Sequence, residues 1–256
     1  MYDPHSPLLR SSVAPDGLPQ PEAKARFAED RLLDAVIWCE VLPGETVTEA
    51  DVMDRFGLTR AAARAALTRL GYDGWASPQA RLGWQILPVT GALVGQVLTA
   101  RRMVEPTALA AAPLTRTQRD HVARIGDILR AMQDQSTGGA VVAFRHFVDE
   151  IDSHLLGAID PFSARHLRKL WHHSARMVRY LEDAGAGHMF RRAEIFDLVQ
   201  AVVDADADGI ARARHALIDA QERFVLHQML KSEAALGPGS GLGASRKQAA
   251  AQGRPS

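Results

Sequence analysis

Arginine side chains are concentrated in one short stretch of the chain that contains no acid. Between Thr59 and Tyr72 there are three arginines, Arg60, Arg64 and Arg69, and no aspartate or glutamate. Guanidinium groups pair with phosphate oxygens and with the O6 and N7 edge of guanine. Because the stretch also has helical periodicity, it predicts a positively charged helix suited to a DNA major groove. The alternative is a short amphipathic helix whose arginines are simply solvated.

Residues on either side of this stretch are expected to add to the same surface. Thr59 precedes the predicted helix and Thr68 lies on its outer face. Arg81 lies two residues before Gly83, in a segment with partial strand-like alternation. A glycine at the tip of a two-stranded ribbon, or wing, lets the backbone approach a groove closely, and Arg81 would insert there. We therefore predict DNA contacts from Thr59, Arg60, Arg64, Thr68, Arg69, Arg81 and Gly83.

A carboxylate and an imidazole lie four residues apart farther along the chain. Glu150 and His154 occupy one face of a helix predicted over residues 140 to 159, so both can point into a helical core. Such a pair suits zinc, nickel or manganese. The alternative is a metal-free pair that hydrogen-bonds an organic ligand or its neighbours. We favour it, because a Glu/His pair alone leaves a transition metal under-coordinated.

Arg101 is a candidate for binding the carboxylate of a small molecule. A guanidinium can hold a carboxylate through two parallel hydrogen bonds. Its alternative is an ion pair with Glu105, four residues later on the same helix. The residues alone therefore predict a ligand site with Arg101, Glu150 and His154.

Two short helices and the ribbon must position the arginine-rich stretch. Thr48 is predicted to cap the first helix, Gly57 to close it and Thr59 to cap the second. The second helix has apolar residues at i, i+3, i+4 and i+7, which predicts that one face is buried; these are Ala63, Ala66, Leu67 and Leu70. We expect a winged helix-turn-helix over residues 23 to 90.

Helical periodicity then continues with few interruptions, and its breaks indicate about six helices. The predicted fold class is mainly α, with an N-terminal winged helix-turn-helix and a C-terminal all-helical bundle over residues 91 to 235. Residues 1 to 22 are rich in Pro, Ser and Asp, and residues 236 to 256 in Gly, Ser and Ala. Neither segment has a periodic apolar pattern, so both are expected to be disordered.

The composition is that of an Ala-rich helical protein. Among the 256 residues, 30 are basic and 30 acidic, so only local clustering can indicate a nucleic-acid partner. No stretch of about 18 apolar residues is present, and the proline-rich start does not resemble a signal peptide. The single cysteine, Cys39, excludes an intrachain disulfide. We expect a cytoplasmic protein without a membrane partner.

The first part of the chain resembles the winged helix of the GntR-type bacterial transcription regulators. The resemblance covers about residues 25 to 90 and rests on Leu42-Pro43-Gly44-Glu45, Thr48-Glu49, Phe56-Gly57-Leu58-Thr59-Arg60, Arg64-Ala65-Ala66-Leu67, Leu70, Gly74, Gly83 and Pro88. It implies that Arg60 and Arg64 contact operator DNA and that Gly83 marks the wing tip. Ala61 and Ala62 stand where the family often has Thr-Pro, and Ala65 where it often has Glu.

Residues 101 to 105 and 108 to 112 are similar to the opening helix of the FCD effector domain in the FadR-like branch of that family. This resemblance implies a helical bundle whose cavity takes a small carboxylate-bearing metabolite, often beside a metal held by an Asp-x3-His pair and two later histidines. Glu150 replaces the aspartate of that pair. Ile195 and Leu217 stand at the two histidine positions, unless a register shift of two places Ala193 and His215 there. With that shift, the resemblance implies that His215 joins Glu150 and His154 in the ligand site and as a third metal ligand.

The predicted function is that of a ligand-responsive DNA-binding transcription regulator, acting as a homodimer on an inverted repeat. An apolar stripe could contribute to the dimer contact or belong to the core; it contains Leu167, Leu170, Trp171 and Met177. A metal-dependent enzyme is one alternative, but H-E-x-x-H, G-x-S-x-G and P-loop motifs are absent from the sequence, and we expect no enzyme. A helical interaction module is the other, and it leaves Arg60 and Arg64 unexplained.

Overall fold

The computed structural model of the chain describes residues 21–135, 137–184, 189 and 192–231. The chain divides into two compact units, one built from residues up to Gly91 and the other from Ala92 onward. The segments expected to be disordered, 1–22 and 236–256, lie outside the described residues, except that Pro21 and Glu22 begin the first helix.

The first unit is a winged helix-turn-helix. Its helices are α1 (Pro21–Ile37), α2 (Glu49–Phe56) and α3 (Arg60–Tyr72), and α3 packs against both of the others. Its strands form an antiparallel sheet in the order β1-β3-β2, with bounds β1 (Thr46–Val47), β2 (Ala76–Gln79) and β3 (Gly83–Ile86). The predicted ribbon is thus completed by a third strand, which at two residues is too short to show alternation in the sequence.

Local signals fix the ends of α2 and α3. Thr48 and Asp51 form a capping box, in which the Thr48 hydroxyl accepts the Asp51 amide at 3.2 Å and the Asp51 carboxylate accepts the Thr48 amide at 2.8 Å. Gly57 ends α2 in the left-handed conformation, with φ of 63°. The Thr59 hydroxyl accepts the amide of Ala62 at 3.3 Å and so begins α3. All three predicted helix ends are confirmed.

Gly83 lies inside the sheet rather than at the wing tip. It is the first residue of β3 and pairs with Gln79, so the turn of the wing is formed by residues 80 to 82. Its φ of +113° is a conformation that side chains rarely adopt, and a Cβ at this position would overlap the carbonyl oxygen of Val47. The expectation that Gly83 forms the wing tip is therefore wrong, and the glycine instead lets β1 approach β3, while its contact with DNA stays a prediction.

Replacing Gly83 with alanine should destabilise the first unit. Both the positive φ and the overlap with Val47 oppose a side chain, and a strained backbone of this kind costs roughly 1 to 3 kcal/mol. Urea unfolding followed by tryptophan fluorescence should show a lower midpoint. Gly95→Ala is the control, because an added Cβ there meets no atom within 4 Å and alanine favours a helix interior. A midpoint for Gly83→Ala equal to that of the wild type would contradict this role.

The second unit is an all-helical bundle. In its described part there are six helices, namely α4 (Gly91–Ala110), α5 (Arg116–Ala131), α6 (Gly138–Ala158), α7 (Pro161–Ala184), α8 (Arg192–Val203) and α9 (Ala207–Lys231). Helix α8 packs against α5 and α9, while α6 contacts α5 and α7. Leu167, Leu170 and Met177 are buried, which places most of the apolar stripe of α7 in the core of one chain. Among the described helices, none combines the length and apolarity that a bilayer span requires.

Candidate functional site

One face of α3 is exposed and carries only positive charge. The opposite face buries Ala63, Ala66, Leu67 and Leu70, as the periodicity predicted. Arg60, Arg64, Thr68 and Arg69 are exposed, and the helix contains no acidic residue. A helix that packs through an apolar face and exposes a cationic face to solvent has the form of a helix that binds in a DNA major groove.

The three arginines of α3 have different partners in the free protein. Arg64 makes two hydrogen bonds to the Glu49 carboxylate, at 2.7 Å from Nε and 3.2 Å from the terminal nitrogen. Arg69 pairs with Asp73 at 2.9 Å, whereas Arg60 forms no ion pair with the described residues. The hydrogen bond from Arg64 lowers the pKa of Glu49 and raises that of Arg64. Both groups are therefore charged at neutral pH, and any anion that binds Arg64 must compete with Glu49.

The remaining predicted DNA contacts divide into two kinds. Thr68 is exposed beside the arginines, and Arg81 is exposed in the turn of the wing with φ of 64°. The Thr59 hydroxyl is engaged in the cap of α3, so its first role is to orient the helix. Arg81 thus lies at the wing tip, where Gly83 was expected.

The second unit encloses a cavity of about 140 Å³ between its helices. Four of the lining residues are arginines, and two are aspartates, Asp149 and Asp152. The arginines come from four different helices and are Arg101, Arg145, Arg179 and Arg214. Arg101 is paired with Glu105 and Arg145 with Glu182, two buried carboxylates outside the lining, so the arginines offer N–H donors to a ligand rather than a net positive charge.

A buried carboxylate fixes two of these arginines. Glu105 is fully buried and accepts two hydrogen bonds from Arg101, at 2.6 and 3.0 Å. It also lies 3.6 Å from Arg214 and accepts the indole N–H of Trp171 at 2.8 Å. Burial by itself raises the pKa of Glu105, but Arg101, Arg214 and the hydrogen bonds together lower it. The i, i+4 pair of Arg101 with Glu105, one of the two alternatives, is therefore present, and Arg101 still lines the cavity.

Arg214 retains an unused donor at the cavity wall. It is 2% exposed, pairs with Asp152 at 2.5 Å, and its guanidinium lies 5.5 Å from the centre of the Trp171 ring. Its Nε is buried and has no hydrogen-bond partner among the described residues. A buried donor left without an acceptor is costly, so this Nε is an unsatisfied polar atom beside the cavity.

The cavity wall does not fit a metal ion. Ile195 and Leu217, at the two positions where the family resemblance expects histidines, both line the cavity. Among the described lining residues there is no histidine or cysteine, and Asp152 is already paired with Arg214. Two aspartates among four arginines are a poor site for a divalent cation.

Glu150 and His154 lie on another flank of α6, outside the cavity wall. They meet His121 of α5, whose Nε2 is 2.7 Å from a Glu150 oxygen and whose ring centre is 4.6 Å from that of His154. Burial, together with the charge of His121, lowers the pKa of His154. His215 is exposed on α9 and is not part of this group. The structure therefore brings Glu150 and His154 together with His121 and not with His215, the predicted third ligand.

The sequence analysis did not predict most of the residues that line the cavity, and it did not predict that His121 lies beside Glu150. On α6 the cavity residues Arg145, Asp149 and Asp152 follow helical spacing as regularly as Glu150 and His154 do. Each set lies on one flank of the buried stripe, so periodicity alone could not say which flank faces the cavity. No spacing rule connects His121 to Glu150, because they lie on different helices.

Comparison with known proteins identifies the fold. No protein-family model matches the sequence, and no curated protein matches it significantly. The structure is similar to that of E. coli McbR/YncC, with a TM-score of 0.60 and 18% identity over 81% of this chain and 98% of that one. A Rhodococcus sp. RHA1 protein assigned as a GntR transcriptional regulator gives a TM-score of 0.62 and 16% identity over 80% and 98%. At these identities the likeness concerns the fold alone, which is a winged helix-turn-helix with a helical bundle.

Proposed function

We propose that this chain is a DNA-binding transcription regulator of the GntR type. The observation that carries the proposal is the exposed, acid-free face of α3 with Arg60, Arg64 and Arg69, in a winged helix-turn-helix. Such a helix places its first residues against base edges, while the wing reaches the neighbouring groove or backbone. Arg81, exposed in the wing turn, supplies the cation for that second contact.

The operator is an inverted repeat read by a homodimer. One recognition helix contacts only a few base pairs. A two-fold symmetric dimer makes twice as many contacts and requires two half-sites at a fixed spacing. The fold shared with a protein assigned as a GntR transcriptional regulator supports the proposal that this chain is a regulator.

Selection from a random duplex library tests the DNA-binding proposal directly. The full chain should enrich sequences with an inverted repeat, and its affinity for them should fall steeply with salt as counterions are released. Light scattering of the complex should give two chains per duplex. A pool that shows no enrichment, or binding insensitive to salt, would refute the proposal.

The bundle is the effector domain, in the manner of the FCD branch, and its ligand is a small carboxylate. The guanidinium N–H donors of four arginines in the wall support a ligand that carries a carboxylate. An engineered cavity of about 150 Å³ holds a single benzene molecule, so a cavity of about 140 Å³ suits a metabolite of similar size. Occupancy of this cavity is proposed to change operator affinity.

A thermal-shift screen with small mono- and dicarboxylates tests the effector proposal. A carboxylate that binds only the folded chain should raise the melting temperature by mass action. Arg179→Met should reduce the affinity for it roughly tenfold or more, since one charge-assisted contact is lost. Arg165→Met, an exposed arginine on the same helix, is the control and should bind as the wild type does. A screen without any stabilising carboxylate, or equal binding by Arg179→Met, would argue against this ligand class.

A further inference from the structure

His121, Glu150 and His154 bring three metal-ligating side chains together on the α5–α6 flank of the bundle. One ligand atom from each residue lies within 4.8 Å of the other two, and all three side chains are half-buried. Two nitrogens and a carboxylate oxygen are the donor set of three-ligand zinc sites, which keep a fourth position for water. None of the three residues lines the arginine-rich cavity.

We propose that these three residues form a zinc site that joins α5 to α6. Glu150 and His154 lie at i and i+4 on α6, so one ion can contact both, and His121 approaches from the neighbouring helix. Two ligands bound at about 2.1 Å to a tetrahedral zinc ion lie about 3.4 Å apart, so small side-chain rotations bring the present atoms into range. A half-buried site needs no opening of the core to admit the ion.

Two present contacts must change when the ion binds. The hydrogen bond of 2.7 Å between His121 Nε2 and Glu150 is replaced by bonds from both groups to zinc. Arg124 donates to His121 Nδ1 at 3.3 Å in an exposed position, and this long hydrogen bond is readily exchanged for water. The site therefore differs from the family's expected metal centre in place and in ligands, since the cavity wall carries Ile195 and Leu217 instead of histidines.

The experiment measures zinc binding by the full chain, with His121→Ala as the decisive variant. The chain is stripped with a chelator, loaded with ZnCl₂, dialysed and analysed for metal, and the affinity is measured by competition with a chromophoric chelator. We expect about one zinc ion per chain, and a loss of affinity of roughly 100-fold or more in His121→Ala and in His154→Ala. Co²⁺ in place of zinc should give the intense visible absorption of a four-coordinate site, and the same variants should abolish it.

His215→Ala is the matched control, because it removes an exposed histidine of the same unit that lies outside the cluster. It should bind zinc as the wild type does. Circular dichroism shows whether each variant is folded, and Glu150→Gln, which keeps the side-chain shape, provides a second test of the site. The proposal is overturned if the wild type retains no zinc, or if folded His121→Ala and Glu150→Gln retain it unchanged. Neither result would bear on DNA binding by α3, which belongs to the other unit.

Discussion

The double variant Arg60→Ala, Arg64→Ala is expected to bind the selected operator roughly 100-fold less tightly than the wild type. Each arginine should contribute about tenfold through a phosphate or guanine contact. The two lie on one exposed face of α3, off the buried stripe, so their removal opens no cavity and the unit should remain folded. Fluorescence anisotropy with a labelled duplex at fixed salt measures the affinity of each single variant and of the double variant.

The salt dependence separates a lost contact from a general loss of folding. Each phosphate contact removed should reduce the slope of log affinity against log salt by about one. Arg116→Ala is the control, because Arg116 lies in the other unit with its side chain 89% exposed. Unchanged affinity and slope in the Arg60 and Arg64 variants would show that α3 is not the reading helix.

Glu49 provides a variant with the opposite expected sign. Its carboxylate holds Arg64 through two hydrogen bonds and adds a negative charge beside α3. Glu49→Gln should strengthen binding to non-specific duplex a few-fold, since one repulsion of phosphate is removed and Arg64 loses its charged partner. A gain in Glu49→Gln beside a loss in Arg64→Ala cannot come from unfolding, so the pair of results would place Arg64 at the DNA.

The winged helix-turn-helix could be predicted from sequence because its signals are local. Thr48, Gly57 and Thr59 act on amides and backbone angles within a few residues of themselves. The buried face of α3 likewise follows from the spacing of four apolar residues. The third strand was missed because Thr46–Val47 is defined by its pairing with β3, a contact between residues far apart in sequence.

The bundle illustrates what periodicity leaves undetermined. A helix with one buried stripe has two flanks, and on α6 both flanks carry polar residues at i, i+4 spacing. Which flank lines a cavity depends on where the neighbouring helices lie, and this placed Asp149 and Asp152 at the cavity and Glu150 and His154 beside α5. The contacts of His121 with Glu150 and His154 follow only from that packing.

Acidification is expected to destabilise the bundle well above the pH at which carboxylates titrate. His172 and His173 are adjacent on α7, and His173 is only 7% exposed. Burial, with Arg168 and Arg179 nearby, lowers the pKa of His172 to about 4. Burial, with Arg176, Lys169 and His172 nearby, lowers the pKa of His173 to about 3. Both imidazoles are therefore neutral in the folded chain at pH 5.

The sign follows from where each histidine binds its proton. In the unfolded chain a histidine has its ordinary pKa of about 6.5. Below that pH the unfolded state therefore binds protons that the folded state does not bind. The stability is fully present above pH 6.5 and is lost as the pH falls from there toward 4. In that window each histidine lowers the free energy of unfolding by about 1.4 kcal/mol per pH unit, which amounts to about 2 kcal/mol between pH 7 and pH 5.

Urea unfolding at pH 7 and pH 5, followed by circular dichroism, measures this loss. The two histidines together should reduce the free energy of unfolding by about 4 kcal/mol, a large part of the 5 to 15 kcal/mol typical of a domain. His172→Gln and His173→Gln should each remove about half of the difference between the two pH values, whereas His166→Gln, which is exposed on the same helix, should leave it unchanged. Because the pKa of His154 is also lowered, a variant that carries both His172→Gln and His173→Gln should still lose some stability between pH 7 and pH 5. Equal stability of the wild type at pH 7 and pH 5 would show that His172 and His173 can be protonated in the folded chain without a loss of stability.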